Sequence, residues 1–445
     1  MVRNLINKFS VETSDLEYLV AAHGAICFFL ILFSYYILRP IREQISSKYG
    51  IENLTWLFWA VFITMLIAIP LYSLLVGKFH RKILVPSIYL LFIACLVGFW
   101  AAMKFIGESA QIWIARAMFV CISFFGLFIV SFFWSVIGDL LSTGQGRRLY
   151  GYIFGAGTIG GMLGSQATIF LAEPLGLANL LFLPIGLLLA AYFIYFSLER
   201  SLKKHSKELS SLSGDATGGN PFAGFTKVLD SRYLFAICIF GFLLAICGTT
   251  FYYQQTEIVG QAIESKEKQT AYFAKINFAV SVLTLLFQFV IAGFLMRTIG
   301  LGWTLACLPL TYIIGLSALA FSPTLNVIAV VAVIGRSAEY GISNPAREVL
   351  FTSVNREDRY KAKSFIDTVV RRGGDSMVGN LYSVARESLG ASMTTLSIVT
   401  LPVAAVWTGL AIFIGKENKR VAQKEKKPPK QSGATGAESG ATRLT

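Results

Sequence analysis

The sequence predicts an all-α polytopic membrane protein, with twelve transmembrane helices in two six-helix bundles. Composition is the first reason. Of 445 residues, 55% are apolar and 14% are charged, whereas a soluble globular domain carries about 25% charged residues. That supply of charge cannot cover a water-exposed surface, so a soluble enzyme is excluded. A membrane helix needs about 20 apolar residues, so twelve would use about 240 of them, close to the number the chain holds. The second reason is spacing. Apolar stretches fall at about 19–39, 53–76, 83–104, 111–137, 150–172 and 175–198, then at 233–257, 270–296, 302–321, 325–348, 363–388 and 393–415. The third is the polar segment between the two sets, with Lys203, Lys204, Lys207 and the Ser/Gly-rich run 210–219. The expected organisation is a bundle over 1–198, a cytoplasmic linker over 199–232, a second bundle over 233–415, and a basic disordered tail over 416–445.

The first apolar run follows Glu12, Asp15 and Glu17 and ends at Arg39-Pro40-Ile41-Arg42 without a small-residue cleavage pattern, so it reads as a retained first span. With charges at span ends counted in the adjoining loops, 27 of the 39 Lys and Arg residues fall on the side of both termini, 7 on the other side and 5 deeper inside spans. By the positive-inside rule, both termini are expected in the cytoplasm of a cell inner membrane. The net charge of +14 then orients loops, and nucleic acid is not an expected partner. The six cysteines lie inside apolar runs without a CxxC pair, and the three histidines are scattered, so no metal or other cofactor is expected.

Gly155-Ala156-Gly157-Thr158-Ile159-Gly160 spells GxGxxG, but no strand precedes it, so a dinucleotide fingerprint is rejected. Together with Gly151, Gly161 and Gly164 it gives three small-xxx-small spacings, which predict a close helix-packing surface. No GxxxxGK[ST] occurs, so transport would run on exchange or an ion gradient rather than on nucleotide hydrolysis.

Charges inside apolar runs are the functional candidates, because one at mid-bilayer costs about 2.5–3.5 kcal/mol on insertion scales. The eleventh span carries Lys363, Asp367, Arg371 and Arg372. The first three, at i, i+4 and i+8, stack on one helical face; the face either lines a water-filled cavity or forms an ion network at the cytoplasmic edge. Arg39 and Arg42 flank Pro40 at the end of the first span, either as a broken helix at a substrate site or as an edge anchor. Lys275 and Arg116 lie a few residues inside their spans and could equally snorkel to the surface. Arg336 and Glu339 are spaced to pair with each other. Glu257 and Asp139 end the seventh and fourth spans and are the candidates for proton or salt-bridge coupling, with Asp367 and Glu339. The excess of guanidinium groups predicts an anionic solute.

The two halves echo each other. Asp139-Leu140-Leu141-Ser142-Thr143 with Arg148-Leu149-Tyr150 precedes Gly160-Gly161, and Glu348-Val349-Leu350-Phe351-Thr352 with Arg359-Tyr360 precedes Gly373-Gly374. Both copies join the fourth to the fifth span of their half. Twelve spans in two repeats with a long central loop resemble the major facilitator superfamily, and Gly77-Lys78-Phe79-His80-Arg81-Lys82 is similar to its basic loop between the second and third helices. That resemblance implies alternating access by rocking of the halves.

Tyr36-Ile37-Leu38-Arg39-Pro40-Ile41-Arg42-Glu43 resembles the end of the first helix in the ATP:ADP antiporters of plastids and obligate parasites, where the pattern is I-L-R-D-x-K-D. Gly144-Gln145-Gly146-Arg147-Arg148-Leu149-Tyr150, with Phe154-Gly155, is similar to that family's D-E-A-K-R-F-Y … F-G. Arg359-Tyr360-Lys361-Ala362-Lys363-Ser364-Phe365-Ile366-Asp367-Thr368-Val369-Val370 resembles its K-x-K-G-K-A-x-I-D-V-V. The family's first-helix lysine is Arg42 here, its acid before K-R-F-Y is Gln145, and Glu257 is a loose counterpart of its seventh-helix acid. The resemblance implies nucleotide exchange.

The expectation is a monomeric, non-enzymatic secondary transporter. It would bind an anionic, nucleotide-like solute with Arg39, Arg42, Lys275, Lys363, Arg371 and Arg372, using Glu257, Asp367, Asp139 and Glu339 for coupling. The alternatives are a proton-coupled exporter of an amphipathic metabolite and a non-transporting sensor on the same fold.

Overall fold

The computed structural model of the chain describes residues 15–78, 81–107, 110–140, 143–204, 228, 231–351, 354, 362–363 and 365–425. These residues are nearly all helical, as a bilayer requires: in hydrocarbon every backbone N–H and C=O must be satisfied within the segment. The first half comprises α1 (Asp15–Lys78), α2 (Arg81–Phe105), α3 (Gln111–Leu140), α4 (Thr143–Leu180) and α5 (Phe182–Lys204). The second comprises α6 (Arg232–Ala262), α7 (Lys266–Leu286), α8 (Ala292–Thr298), α9 (Gly300–Phe321), α10 (Leu325–Ala338), α11 (Asn344–Phe351), α12 (Arg371–Ser383) and α13 (Met393–Glu425). Four π turns join or extend them: Phe287–Ile291, Glu339–Ser343, Ile366–Val370 and Val384–Ser388.

α1 is two spans folded back at Gly50, whose φ of 80° only glycine adopts without strain. Its first arm runs through Pro40 and on to Lys48, so the helical break expected at Pro40 comes instead at Gly50. Arg39 and Arg42 thereby lie inside the span. One missing backbone hydrogen bond is tolerated where packed neighbours hold the helix.

Among the described residues nine helices are long and apolar enough to cross a membrane, and 53–68 is a shorter apolar helix. The fifth and eleventh expected spans are helical as well, as α4 and as α12 with its flanking π turns. Glycine lowers the hydropathy of the one and charge that of the other. At the boundaries, α5 extends through Lys204 and α13 through Glu425, beyond the expected limits of their bundles. Residues 205–227, with the run 210–219, and the tail 426–445 lie outside the described residues.

Each half has its own core. One cluster gathers Ile31, Leu57, Phe92, Phe125 and Leu188; the other gathers Phe240, Leu305, Ile328 and Trp407. Lipid offers no hydrophobic drive between helices, so close backbone approach does the joining. A Cβ on Gly160 or Gly164 would collide with the carbonyl oxygens of Phe29 and Phe33 on α1, and one on Gly157 with the Phe28 ring. The packing surface expected from the small-xxx-small spacings is therefore formed by Gly157, Gly160, Gly161 and Gly164, whereas a Cβ on Gly151 or Gly155 would meet nothing within 4 Å among the described residues, so those two lie off it. The second half repeats the device: a Cβ on Gly374 of α12 would stand 2.9 Å from Ala245 of α6, and one on Gly379 would collide with the Tyr253 hydroxyl. The fifth span packs on the first as the eleventh packs on the seventh; the repeated motif read from the sequence lies partly outside the described residues.

Candidate functional site

The halves meet around a cavity of about 220 Å³. From the first half, α1 supplies Tyr35, Arg39, Arg42 and Phe58, and α3 supplies Phe119 and Ser123. From the second, α6 supplies Thr249 and Tyr252, α10 and its π turn supply Arg336, Glu339 and Tyr340, and α12 supplies Arg371, Arg372 and Asp375. Five guanidiniums thus face one small space.

Most of that charge is paired. Glu43, 1% exposed, takes Arg39 Nε at 3.3 Å and Arg336 Nη1 at 3.4 Å, and accepts from Asn277 Nδ2 at 3.1 Å. Arg336 also donates to Gln255 Oε1 at 2.9 Å. Arg39 belongs to the first half and Arg336 to the second, so Glu43 ties the halves together. Arg371 pairs with Glu339. Arg372 reaches Asp375 at 3.6 Å, and Asp375 accepts from the Thr249 hydroxyl at 2.9 Å.

Arg42 differs. Among the described residues it pairs with no carboxylate; its guanidinium donates to the Ser123 hydroxyl at 3.5 Å and lies 5.5 Å from the Phe119 ring centroid. Its Nε is buried with no hydrogen-bond partner among the described residues. Arg372 stands within electrostatic reach from the opposite half. A buried donor without a partner costs about 1–3 kcal/mol, more when charged, so this corner is primed for an acceptor from outside the chain.

Between described residues, the hydrogen bonds that cross between the halves leave α1 between Arg39 and Phe58, on either side of Gly50. Beyond those of Arg39 and Glu43, Ser46 bonds Tyr252 at 2.9 Å, Thr55 bonds Tyr253 at 3.1 Å, and the Phe58 carbonyl accepts from Ser376 at 3.1 Å. A Cβ on Gly260 would stand 2.5 Å from the Ser47 carbonyl oxygen, so the two backbones touch there. With Glu43, these contacts close the cavity at the Gly50 end.

Two bundles joined in this way around a polar cavity have a counterpart among known families. The model of the Major Facilitator Superfamily matches residues 24–355. The chain belongs to that superfamily. As a facilitator it is a multi-pass membrane transporter rather than an enzyme. ADP,ATP carrier protein 2 of Chlamydia pneumoniae is 24% identical over 219 residues, a match covering 43% of this chain and 40% of the relative. Among solved structures, the nucleoside transporter NupG superposes with a TM-score of 0.58 at 13% identity, covering 92% of this chain and 99% of that one. A bacterial homologue of the iron transporter ferroportin gives 0.61 at 15% identity, covering 91% and 100%. These likenesses are of fold.

Of the residues singled out from sequence, the facilitator's cavity gathers Arg39, Arg42, Arg336, Glu339, Arg371 and Arg372. It does not gather the others. Lys275 is exposed. Lys363 pairs with Glu348 at 2.6 Å, both partners open to solvent. Asp367 pairs with Arg347 at 2.7 Å. Glu257 pairs with Arg386 at 2.6 Å. The side chain of Asp139 lies outside the described residues. Arg336 and Glu339, spaced to neutralise each other, each take a different partner. Arg116 sits over Trp113 and Trp56, 4.6 and 5.2 Å from their centroids, and bonds Asn53. Sequence reasoning gave no role to Glu43, Asn277, Gln255 or Asp375. Glu43 and Asp375 each lie three or four residues from an arginine already singled out, and that spacing was the available signal.

Proposed function

We propose that this transporter carries an anionic, nucleotide-like solute by exchange, alternating access between its halves with both termini in the cytoplasm of an inner membrane. One observation carries the reading: Arg42 and Arg372, from opposite halves, face one small cavity with donors to spare. A guanidinium presents donors in a fork that fits phosphate or carboxylate, and Tyr35 and Tyr252, one from each half, line the same cavity and offer faces for a planar ring. The partial likeness to a protein named for ADP and ATP agrees with this class of solute. The excess of Lys and Arg on the side of the termini favours the orientation, in which the Gly50 end faces outward and the cavity opens inward.

The test is counterflow in vesicles holding the purified full-length chain, with nucleotides, nucleosides, sugar phosphates and organic acids loaded inside. The reading requires labelled anion to accumulate only against a loaded anion. Uptake that needs no internal solute and collapses with a protonophore would favour a proton-coupled exporter. Failure to accelerate any solute would favour the sensor.

A further inference from the structure

We infer that the solute carries about two negative charges on a single compact group, a phosphate monoester, in preference to a nucleoside di- or triphosphate. The inference deepens the anion-exchange reading and rests on it. Its basis is the charge held around the cavity. Five guanidiniums meet three carboxylates: Glu43 shared by Arg39 and Arg336, Glu339 on Arg371, and Asp375 on Arg372. Among the described residues two positive charges are left over, one of them Arg42 itself.

Closing the cavity takes this charge out of contact with water, where an uncompensated ion is far costlier than in the open state. Closure is easiest when the passenger cancels the surplus. A neutral solute leaves two cations buried, and a di- or triphosphate leaves net negative charge. The cavity is also small, so each phosphate added to the passenger makes enclosure harder. About 220 Å³ is below the roughly 300–1,000 Å³ of pockets that hold drug-sized ligands. The Arg42 and Arg372 guanidiniums with the Ser123 hydroxyl can surround one phosphate from both halves, turning their mutual repulsion into a shared attraction.

The experiment uses the full chain in vesicles, with counterflow of AMP and inorganic phosphate compared with ADP, ATP, succinate and uridine. AMP or phosphate is expected to exceed ADP and ATP at least tenfold. Asp375→Asn adds one positive charge and should raise the ADP:AMP ratio at least fivefold. Should that variant not fold, Arg42→Gln, which removes one, should shift preference from AMP toward its singly charged methyl ester. ADP or ATP exchanging faster than AMP in the unmodified protein would overturn the inference and leave the anion-exchange reading standing. So would succinate exchanging while phosphate and AMP do not. Uridine alone exchanging would overturn both.

Discussion

A positive charge inside a membrane protein is tolerated when a carboxylate or a water-filled space receives it, and that difference separates Arg42 from Arg371. Arg371 is held by Glu339; among the described residues Arg42 meets no carboxylate, and its guanidinium lies against the Ser123 hydroxyl and the face of Phe119. Replacing Arg42 with Gln breaks no ion pair among the described residues, so the melting temperature in detergent should stay within about 2 °C. Solute affinity should fall roughly 10- to 150-fold, as a charged hydrogen bond worth about 1.5–3 kcal/mol is lost. Arg371→Gln should lower both. It strands the buried Glu339 carboxylate, and removing one partner of a buried pair costs about 3–5 kcal/mol. Thermal unfolding followed by substrate titration separates the two cases. At this scale the sequence is legible wherever a charge interrupts an apolar run, which is how Arg39, Arg42, Arg371 and Arg372 are found. It is silent on azimuth. Lys275 interrupts its run just as plainly, yet α7 turns it outward while turning Asn277, two residues on, toward Glu43.

A helix surface in lipid is shaped by what it lacks, and α4 shows this at Gly160. Even a methyl group there would strike the Phe29 carbonyl oxygen, backbone that cannot swing aside. Gly160→Ala should therefore cost about 1–3 kcal/mol and lower the melting temperature by several degrees. Gly155, where an added Cβ would meet nothing within 4 Å, is the control: Gly155→Ala should leave stability unchanged or raise it by about 0.5–1 kcal/mol through helix propensity. The spacings Gly157/Gly161 and Gly160/Gly164 reveal the packing face because small-xxx-small recurs at helical period, while Gly151/Gly155 has the same spacing and lies off that face. The eleventh span resists such reading. Spacing of i, i+4, i+8 predicts one ladder of Lys363, Asp367 and Arg371, but a π turn at Ile366–Val370 interrupts the α-helical period. The three side chains reach across instead to the tenth span, to Glu348, Arg347 and Glu339. Periodicity arguments assume an unbroken α-helix, and π turns are most frequent near functional sites.

For the molecule as a whole, the decisive property is that its halves are hydrogen-bonded to each other toward the Gly50 end, and Glu43 is the charged part of that tie. Its carboxylate holds Arg39 of one half and Arg336 of the other, so Glu43→Gln leaves two guanidiniums facing each other across the interface. If about 2 kcal/mol of the resulting loss falls on the closed state alone, the population opened at the Gly50 end rises about 30-fold. Two reporter cysteines can read this, placed in a chain whose six native cysteines have been replaced. Ser47, buried under Gly260 at the closed end with no partner for its hydroxyl among the described residues, should become accessible when placed as Ser47→Cys. Thr311, which lines the cavity, should become protected when placed as Thr311→Cys. In the Glu43 carboxylate form a membrane-impermeant maleimide should label the cavity position and spare the closed end; in Glu43→Gln the two rates should move in opposite directions. Reciprocal change is what rocking of two rigid bundles requires, because each bundle keeps its own core and only the seam between them exchanges contacts. Both rates rising together would mean that the bundles loosen rather than rock, and alternating access through this seam would be untenable.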